Sequence, residues 1–208
     1  MRIDAMLACF GLSVLAVVLL RGRARRLLFA VSGGMLIALL SGFISGFLAE
    51  LVRYDAMAAV LYISPAVEEA LKLVLFLLLL FVYQPDDAAL PELAAGIGAG
   101  FALMESVALQ AAAGSVWSAS LPLRVLFSAG LHIACALLLT ASVRMICRMA
   151  PETLSGFLGV YAVTITIHSL YNLLVFSGGV GRILGYLLPA GLLIAWQCWE
   201  TMRKRISR

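Results

Sequence analysis

Long apolar runs alternate with short polar breaks along the whole chain. A helix needs about 20 mostly apolar residues to cross the hydrocarbon core of a bilayer, and most of the runs approach that length. The pattern therefore predicts an all-α fold, a polytopic transmembrane helix bundle of about seven spans, with six to eight as the range. The predicted spans are residues 5–20, 27–48, 57–83, 93–113, 122–142, 154–176 and 182–200. We expect residues 1–208 to form a single integral membrane domain.

The third run is too long for one straight span. Ser64 and Pro65 stand inside it in the order of an N-cap residue followed by a first-turn proline. This order predicts that the helix restarts at Pro65, within the membrane.

Composition agrees with a membrane protein. The chain is 63% hydrophobic and 12% charged, with a mean hydropathy of +1.07, and a soluble domain of this size needs more polar surface. The first run lacks a small-x-small cleavage site, so we interpret it as a retained span, with a signal anchor as the alternative. The four cysteines show no CxxC spacing and are interpreted as packing residues.

The basic residues predict an orientation. They lie in short patches beside the spans, which indicates topology signals and no nucleic-acid partner. One side of the membrane would contain Arg21, Arg23, Arg25, Arg26, Arg144, Arg148, Arg203, Lys204, Arg205 and Arg208. The other side would contain Arg2, Arg53, Arg124 and Arg182. The excess predicts an amino terminus outside the cell membrane and a cytosolic carboxyl terminus.

Several ionisable and polar residues fall inside the predicted spans. A charged side chain at the centre of a membrane helix costs roughly 2.5–3.5 kcal/mol on insertion scales, so such residues usually face the bundle interior. The third to sixth spans contain Glu68, Glu69, Lys72, Glu105, His132, His168 and Asn172. Counted from the outer edge, the glutamates and histidines fall in one layer roughly 12–17 Å deep. They predict a polar chamber between spans three and six, open toward the outer face.

Helical spacing relates these residues within each span. Glu68 and Glu69 both lie within one turn of Lys72, so the ammonium can hold one carboxylate and leave the other to act. His168 and Asn172 share a helix face, as a metal ligand or acid–base group beside an oxyanion donor would. Either histidine alone is more often a structural residue, but the set at one depth favours a functional chamber.

Two glycine pairs predict close helix packing. Gly42 and Gly46 in the second span, and Gly96 and Gly100 in the fourth, are spaced as small-residue ridges on which neighbouring helices approach. Arg124, near the outer end of the fifth span, is interpreted as an interfacial anchor, with a substrate-binding charge as the alternative.

The chamber residues form motifs that resemble a known family. The motifs are EExxK at Glu68–Lys72, FxxxE at Phe101–Glu105, a histidine in the next helix at His132, and HxxxN at His168–Asn172. Together they resemble the PrsW family of intramembrane proteases, which are related to the CAAX prenyl endopeptidases. The motifs cover spans three to six, which places a catalytic core at about 57–176.

The resemblance implies hydrolysis of a peptide bond in a single-span membrane protein or membrane-associated peptide. In the family this is an anti-sigma factor, cleaved on the outer side of the bacterial inner membrane. The sequence departs from the CAAX endopeptidases at Lys72, where they have a later arginine, and at Glu105, where their FxxxH motif has a histidine. A prenylated substrate is therefore in doubt.

Two mechanisms stay open. In the first, a divalent metal, by donor chemistry zinc, is bound by imidazoles and carboxylates, while one acid acts as general base. Its ligands would be Glu69 (or Glu68), Glu105, His132 and His168. In the second, Glu68 activates water without a metal, and His168 and Asn172 bind the oxyanion.

Two other classes of function remain as alternatives. A transporter or proton pathway would also line a helix bundle with glutamate, lysine and histidine, although no inverted repeat is evident. A non-catalytic membrane partner would use the fold only to bind another helix.

Overall fold

The computed structural model describes residues 17–112, 121–147 and 153–206, together with residues 11 and 15. In this part of the chain the structure is helical, without strands, which confirms the all-α prediction. The elements are α1 (Gly22–Leu51), α2 (Ala56–Ala58), a π-helical segment (Ala59–Ile63), α3 (Ser64–Tyr83), α4 (Leu90–Ala112), α5 (Leu121–Cys147), α6 (Thr153–Ser177) and α7 (Gly179–Ile206).

Five of the described helices are long and apolar enough to cross a membrane. These segments are Gly22–Leu51, Leu90–Ala111, Val125–Arg144, Ser155–Ser177 and Gly179–Arg205. Helix α3 has 20 residues and spanning length, but Glu68, Glu69 and Lys72 lower its apolar character. The predicted first span, at 5–20, lies mostly outside the described residues. The chain is therefore a polytopic, helical, integral membrane protein.

Glycines bring α1 and α4 into backbone contact. A Cβ atom on Gly34 of α1 or on Gly100 of α4 would overlap a backbone carbonyl of the opposite helix. Gly96 also faces α1, so the predicted packing role of Gly96 and Gly100 is confirmed. A Cβ on Gly42 or Gly46 would meet no described atom within 4 Å, so the predicted packing of this pair has no partner among the described residues. The second span instead packs through Gly34.

A second close approach joins α4 to α5. A Cβ on Gly98 would lie 2.6 Å from the His132 carbonyl oxygen and 2.7 Å from the Ile133 Cα. The backbone of α5 can therefore lie directly on α4 at the level of His132 only because residue 98 has no side chain.

The segment before α3 differs from its sequence-based prediction. Pro65 lies in the first turn of α3, but Ser64 is helical, with φ −56° and ψ −48°, and does not cap a new helix. The chain instead passes from α2 to α3 through the π-helical segment. In a bilayer every backbone polar group needs an internal partner, and a widened turn satisfies more of these groups than a broken helix does. The predicted capped restart is therefore wrong, and the irregularity beside Pro65 is a π turn.

An ion-pair network ties helix ends together on the side of the bundle away from the predicted chamber. Buried Arg144 donates from Nε to Asp87 Oδ1 at 2.8 Å and from Nη1 to Glu200 Oε2 at 3.1 Å. Arg203 Nη2 contacts Asp87 Oδ2 at 2.8 Å. Partial burial would raise the pKa of Asp87, but Arg144 and Arg203 hold it below its usual value. The network joins the loop after α3 to α5 and α7.

Gly98→Ala tests the close approach of α4 and α5. The added methyl group has to displace the His132 backbone, so we expect a loss of stability of about 1–3 kcal/mol. The measurement is the midpoint of thermal unfolding in detergent. Gly42→Ala is the matched control, because the same methyl group there meets no described atom within 4 Å and should leave the midpoint unchanged or raise it. Equal effects of the two substitutions would contradict this packing.

Candidate active site

Four helices bring the predicted ionisable residues into one cluster, which we call the chamber cluster. Its members are Glu68, Glu69 and Lys72 of α3, Glu105 of α4, His132 of α5 and His168 of α6. Glu69 and Lys72 are 0% exposed, whereas the side chain of Glu105 is 27% exposed. Glu105 therefore lies nearest the surface of the cluster.

The ammonium of Lys72 holds two partners. Its Nζ donates to Glu69 Oε1 at 2.7 Å and to His132 Nδ1 at 2.7 Å, and it lies 4.4 Å from the centre of the Phe101 ring. An ammonium can only donate, so His132 Nδ1 must accept. This contact assigns the His132 proton to Nε2.

The other side of His132 faces Glu105. His132 Nε2 donates to Glu105 Oε2 at 2.9 Å, and Ser128 Oγ donates to the same oxygen at 3.0 Å. The Phe101 ring lies against the imidazole, with ring centres 4.8 Å apart. Both nitrogens of His132 are therefore engaged, and one oxygen of Glu105 accepts two hydrogen bonds.

His168 is oriented by one glutamate and faces the other. Its Nδ1 donates to Glu69 Oε1 at 2.7 Å, while its Nε2 lies 3.7 Å from Glu68 Oε2, beyond hydrogen-bond distance. With the proton on Nδ1, the lone pair of Nε2 is directed toward Glu68. A carboxylate that fixes the tautomer of a histidine in this way is common behind metal ligands.

The two adjacent glutamates are therefore unequal. Oε1 of Glu69 accepts from both Lys72 and His168, whereas the contact of Glu68 to His168 is too long to be a hydrogen bond. The second oxygens, Oε2 of Glu68 and of Glu69, are buried and have no hydrogen-bond partner among the described residues. Buried carboxylate oxygens normally have partners, so this pair points to a small ligand at the cluster.

The donor set fits a metal ion. Glu68, His132 and His168 each offer one ligand atom, and these atoms lie within 4.8 Å of one another. Zinc bonds of about 2.0–2.2 Å at tetrahedral angles hold two ligand atoms about 3.3–3.6 Å apart. A water molecule hydrogen-bonded to both would hold them about 4.6 Å apart. The 3.7 Å between Glu68 Oε2 and His168 Nε2 is closer to the metal geometry.

This group differs from the ligand set that the sequence predicts. It contains Glu68, the alternative that the sequence offered to Glu69, and it lacks Glu105. Glu69 holds Lys72 and His168, and Glu105 is bound to His132 and Ser128. His132 would join a metal only by exchanging one of its two hydrogen bonds.

Two further predicted residues lie elsewhere. Asn172 follows His168 by one helical turn, but its Nδ2 donates to the backbone carbonyl of Val60 at 3.1 Å. This carbonyl belongs to the π-helical segment and not to the chamber cluster. Arg124 is part of α5, and its side chain lies outside the described residues.

Sequence reasoning missed two hydroxyl groups near the cluster. Ser128 holds Glu105, and Tyr161 Oη donates to the carbonyl of Ala66 at 2.9 Å. Ser128 precedes His132 by four residues, so helical spacing already placed both on one face. Serine is common in membrane helices, however, and only its contact with another helix distinguishes it.

Fold and cluster together define a polytopic membrane protein with a buried acid–base site. The family model for PrsW family intramembrane metalloproteases matches residues 22–196, a range that includes every member of the chamber cluster. The chain therefore belongs to this family of intramembrane proteases, which confirms the resemblance seen in its motifs. Searches of curated proteins and of solved structures find no match.

Lys72→Met tests the central ion pair. Removing the ammonium leaves Glu69 as a buried charge without its cation, so we expect a loss of about 3–5 kcal/mol. The measurement is thermal unfolding in detergent. The double variant Glu69→Gln/Lys72→Met carries no such charge and should be more stable than Lys72→Met alone. Additive losses would show that the two groups are not coupled.

Proposed function

We propose that the protein hydrolyses a peptide bond of a single-span membrane protein or membrane-associated peptide, near the outer side of the membrane. A membrane-spanning anti-sigma factor is the type of substrate that we infer from the family resemblance. One observation carries the proposal: Glu68 Oε2 and His168 Nε2 lie 3.7 Å apart in a buried site without another described partner. This pair can bind and activate a water molecule, either through a metal ion or directly.

In the mechanism without a metal, Glu68 is the general base. It is the glutamate that neither Lys72 nor a described hydrogen bond holds, so its carboxylate is available to accept a proton from the attacking water. The same carboxylate then returns the proton to the nitrogen of the leaving amine. Glu69 and Lys72 act as positioning residues for His168 and His132.

His132 supplies an N–H group for the developing oxyanion. Its Nε2 proton is fixed by the Lys72 contact at Nδ1 and is directed toward Glu105, the more exposed end of the cluster. A preorganised donor in a dry site stabilises an oxyanion more than it would in water. Glu105 holds this donor until the substrate carbonyl takes its place.

In the alternative mechanism a divalent metal would be held by Glu68 and His168, with His132 as third ligand in place of one of its two hydrogen bonds. The general base would then be an acid outside this ligand set. Zinc is the proposed ion, because it accepts this mixture of imidazole and carboxylate donors. When bound, it would lower the pKa of its water to about 7 and so supply hydroxide inside the membrane.

The proposed setting is the bacterial inner membrane, with the amino terminus outside and the carboxyl terminus in the cytosol. The unequal basic patches support this orientation. Glu105 lies seven residues before the end of α4, on the side that this orientation places outside. A substrate helix would then reach the cluster from the outer half of the bilayer.

Substitutions in the chamber cluster test the proteolytic proposal. We expect Glu68→Gln, Glu69→Gln, Glu105→Gln, His132→Ala and His168→Ala each to reduce cleavage of a co-expressed single-span substrate. The loss of the base or of an oxyanion donor should cost about 10²–10⁴-fold. Thr166→Ala is the control, because Thr166 is exposed on the same helix as His168 and bonds only to the Ala162 carbonyl. Full proteolysis by the Glu68→Gln/Glu69→Gln double variant would refute the proposal.

Metal content tests the choice between the two mechanisms. We expect purified protein to contain zinc, and Glu68→Gln and His168→Ala to lose it, while Thr166→Ala retains it. Elemental analysis measures this directly, and a chelator should inhibit cleavage in parallel. Metal-free protein with full, chelator-resistant activity would instead favour direct activation of water by Glu68.

A further inference from the structure

The π turn leaves the Val60 carbonyl without a backbone donor. In an α-helix the Val60 carbonyl would accept from the N–H of Ser64, but that N–H donates to the Ala59 carbonyl, five residues earlier. In a continued π-helix the donor would be residue 65, which is Pro65 and has no N–H. Neither helical pairing can therefore satisfy Val60.

Asn172 supplies the missing donor. Its Nδ2 lies 3.1 Å from the Val60 carbonyl oxygen and donates to it from the facing helix, α6. Within a membrane an unsatisfied backbone group costs several kcal/mol, because no water is available to replace the lost partner. A side-chain amide is well suited to this task, since it carries two N–H donors and no charge.

This bond fixes the start of α3 against α6. The π-helical segment leads directly into α3, which carries Glu68, and Asn172 lies one turn after His168 on α6. A second bond, from Tyr161 Oη to the Ala66 carbonyl at 2.9 Å, joins the same two helices. The two bonds together hold α3 and α6 at the separation that places Glu68 Oε2 3.7 Å from His168 Nε2.

We propose that Asn172 is a positioning residue that replaces the N–H missing at Pro65, and that it is not an oxyanion donor. It sets the register between the helix of Glu68 and the helix of His168. The effect on cleavage rests on the proposed proteolytic function, whereas the effect on stability does not.

Restoring the backbone donor tests this assignment. Asn172→Ala and Asn172→Leu both remove the donor, and the second keeps the approximate size and shape of the side chain. We expect each to lower the midpoint of thermal unfolding in detergent by a few degrees and to reduce cleavage by about 10²-fold, since a displacement near 1 Å can have that effect. Pro65→Ala supplies an N–H at residue 65, so Pro65→Ala/Asn172→Ala should recover both the midpoint and the cleavage relative to Asn172→Ala.

Control variants distinguish a positioning role for Asn172 from an oxyanion role. Thr166→Ala, an exposed substitution on the same helix, should change neither measurement. An unchanged midpoint with lost cleavage in Asn172→Ala would overturn the proposal in favour of an oxyanion role. A double variant that recovers neither measurement would refute the claim that Asn172 replaces the N–H missing at Pro65. Asn172→Ala could fail to accumulate in the membrane. In that case, accumulation of the double variant Pro65→Ala/Asn172→Ala would support the proposal, and its failure to accumulate would refute the proposal. Should the wild type not cleave any substrate, the proposed function fails while the stability comparison still stands.

Discussion

The ammonium group of Lys72 is fully buried in a helix bundle, where a charge is stable only beside groups that compensate it. Glu69 supplies the opposite charge, His132 Nδ1 accepts a hydrogen bond, and the Phe101 ring lies below the ammonium. These contacts determine the rest of the site. They hold one of two adjacent glutamates, fix the proton of His132 on Nε2, and leave Glu69 Oε1 to orient His168. A single buried cation thereby defines the roles of three neighbours.

Such a cation requires helices that approach closely. Gly98 lets the backbone of α5 lie on α4 at the level of His132, and Gly34 and Gly100 bring α1 onto the opposite side of α4. Van der Waals packing of small residues is a main source of helix association in lipid. The glycines of α4 therefore place Phe101 and Glu105 close enough to α5 to contact His132.

The sequence predicted the cluster because charged residues in apolar helices are few and their depth can be counted. The sequence did not determine which glutamate binds Lys72, because Glu68 and Glu69 are both within one turn of it. The contact between Glu69 and His168, which lies on another helix, distinguishes the two. The packing role of Gly34 was missed for a similar reason, because helix packing depends on the neighbouring helix as well as on spacing. Gly42 and Gly46 have the spacing of a packing motif but no described neighbour. At Ser64 the local capping signal did not predict the structure, because within a membrane a π turn satisfies more backbone hydrogen bonds than a broken helix does.

The arrangement of polar and apolar layers favours hydrolysis over transport. Glu105 marks an exposed edge of the chamber cluster on one side. Toward the Arg144 network, about 18 Å further along α5, the described helices bury a mostly apolar layer, in which Thr140 and Ser142 are the buried polar residues of α5. This layer contains Leu73, Phe76, Leu79, Leu139 and Val143. A channel needs a continuous polar path between the two faces, whereas a hydrolase can admit substrate and release product on the same side. Among the described residues, the chamber cluster meets the surface at Glu105 and borders mostly apolar side chains toward the Arg144 network. This arrangement suits a membrane protease, because water can reach the cluster at its exposed edge while the apolar side chains limit its passage across the membrane.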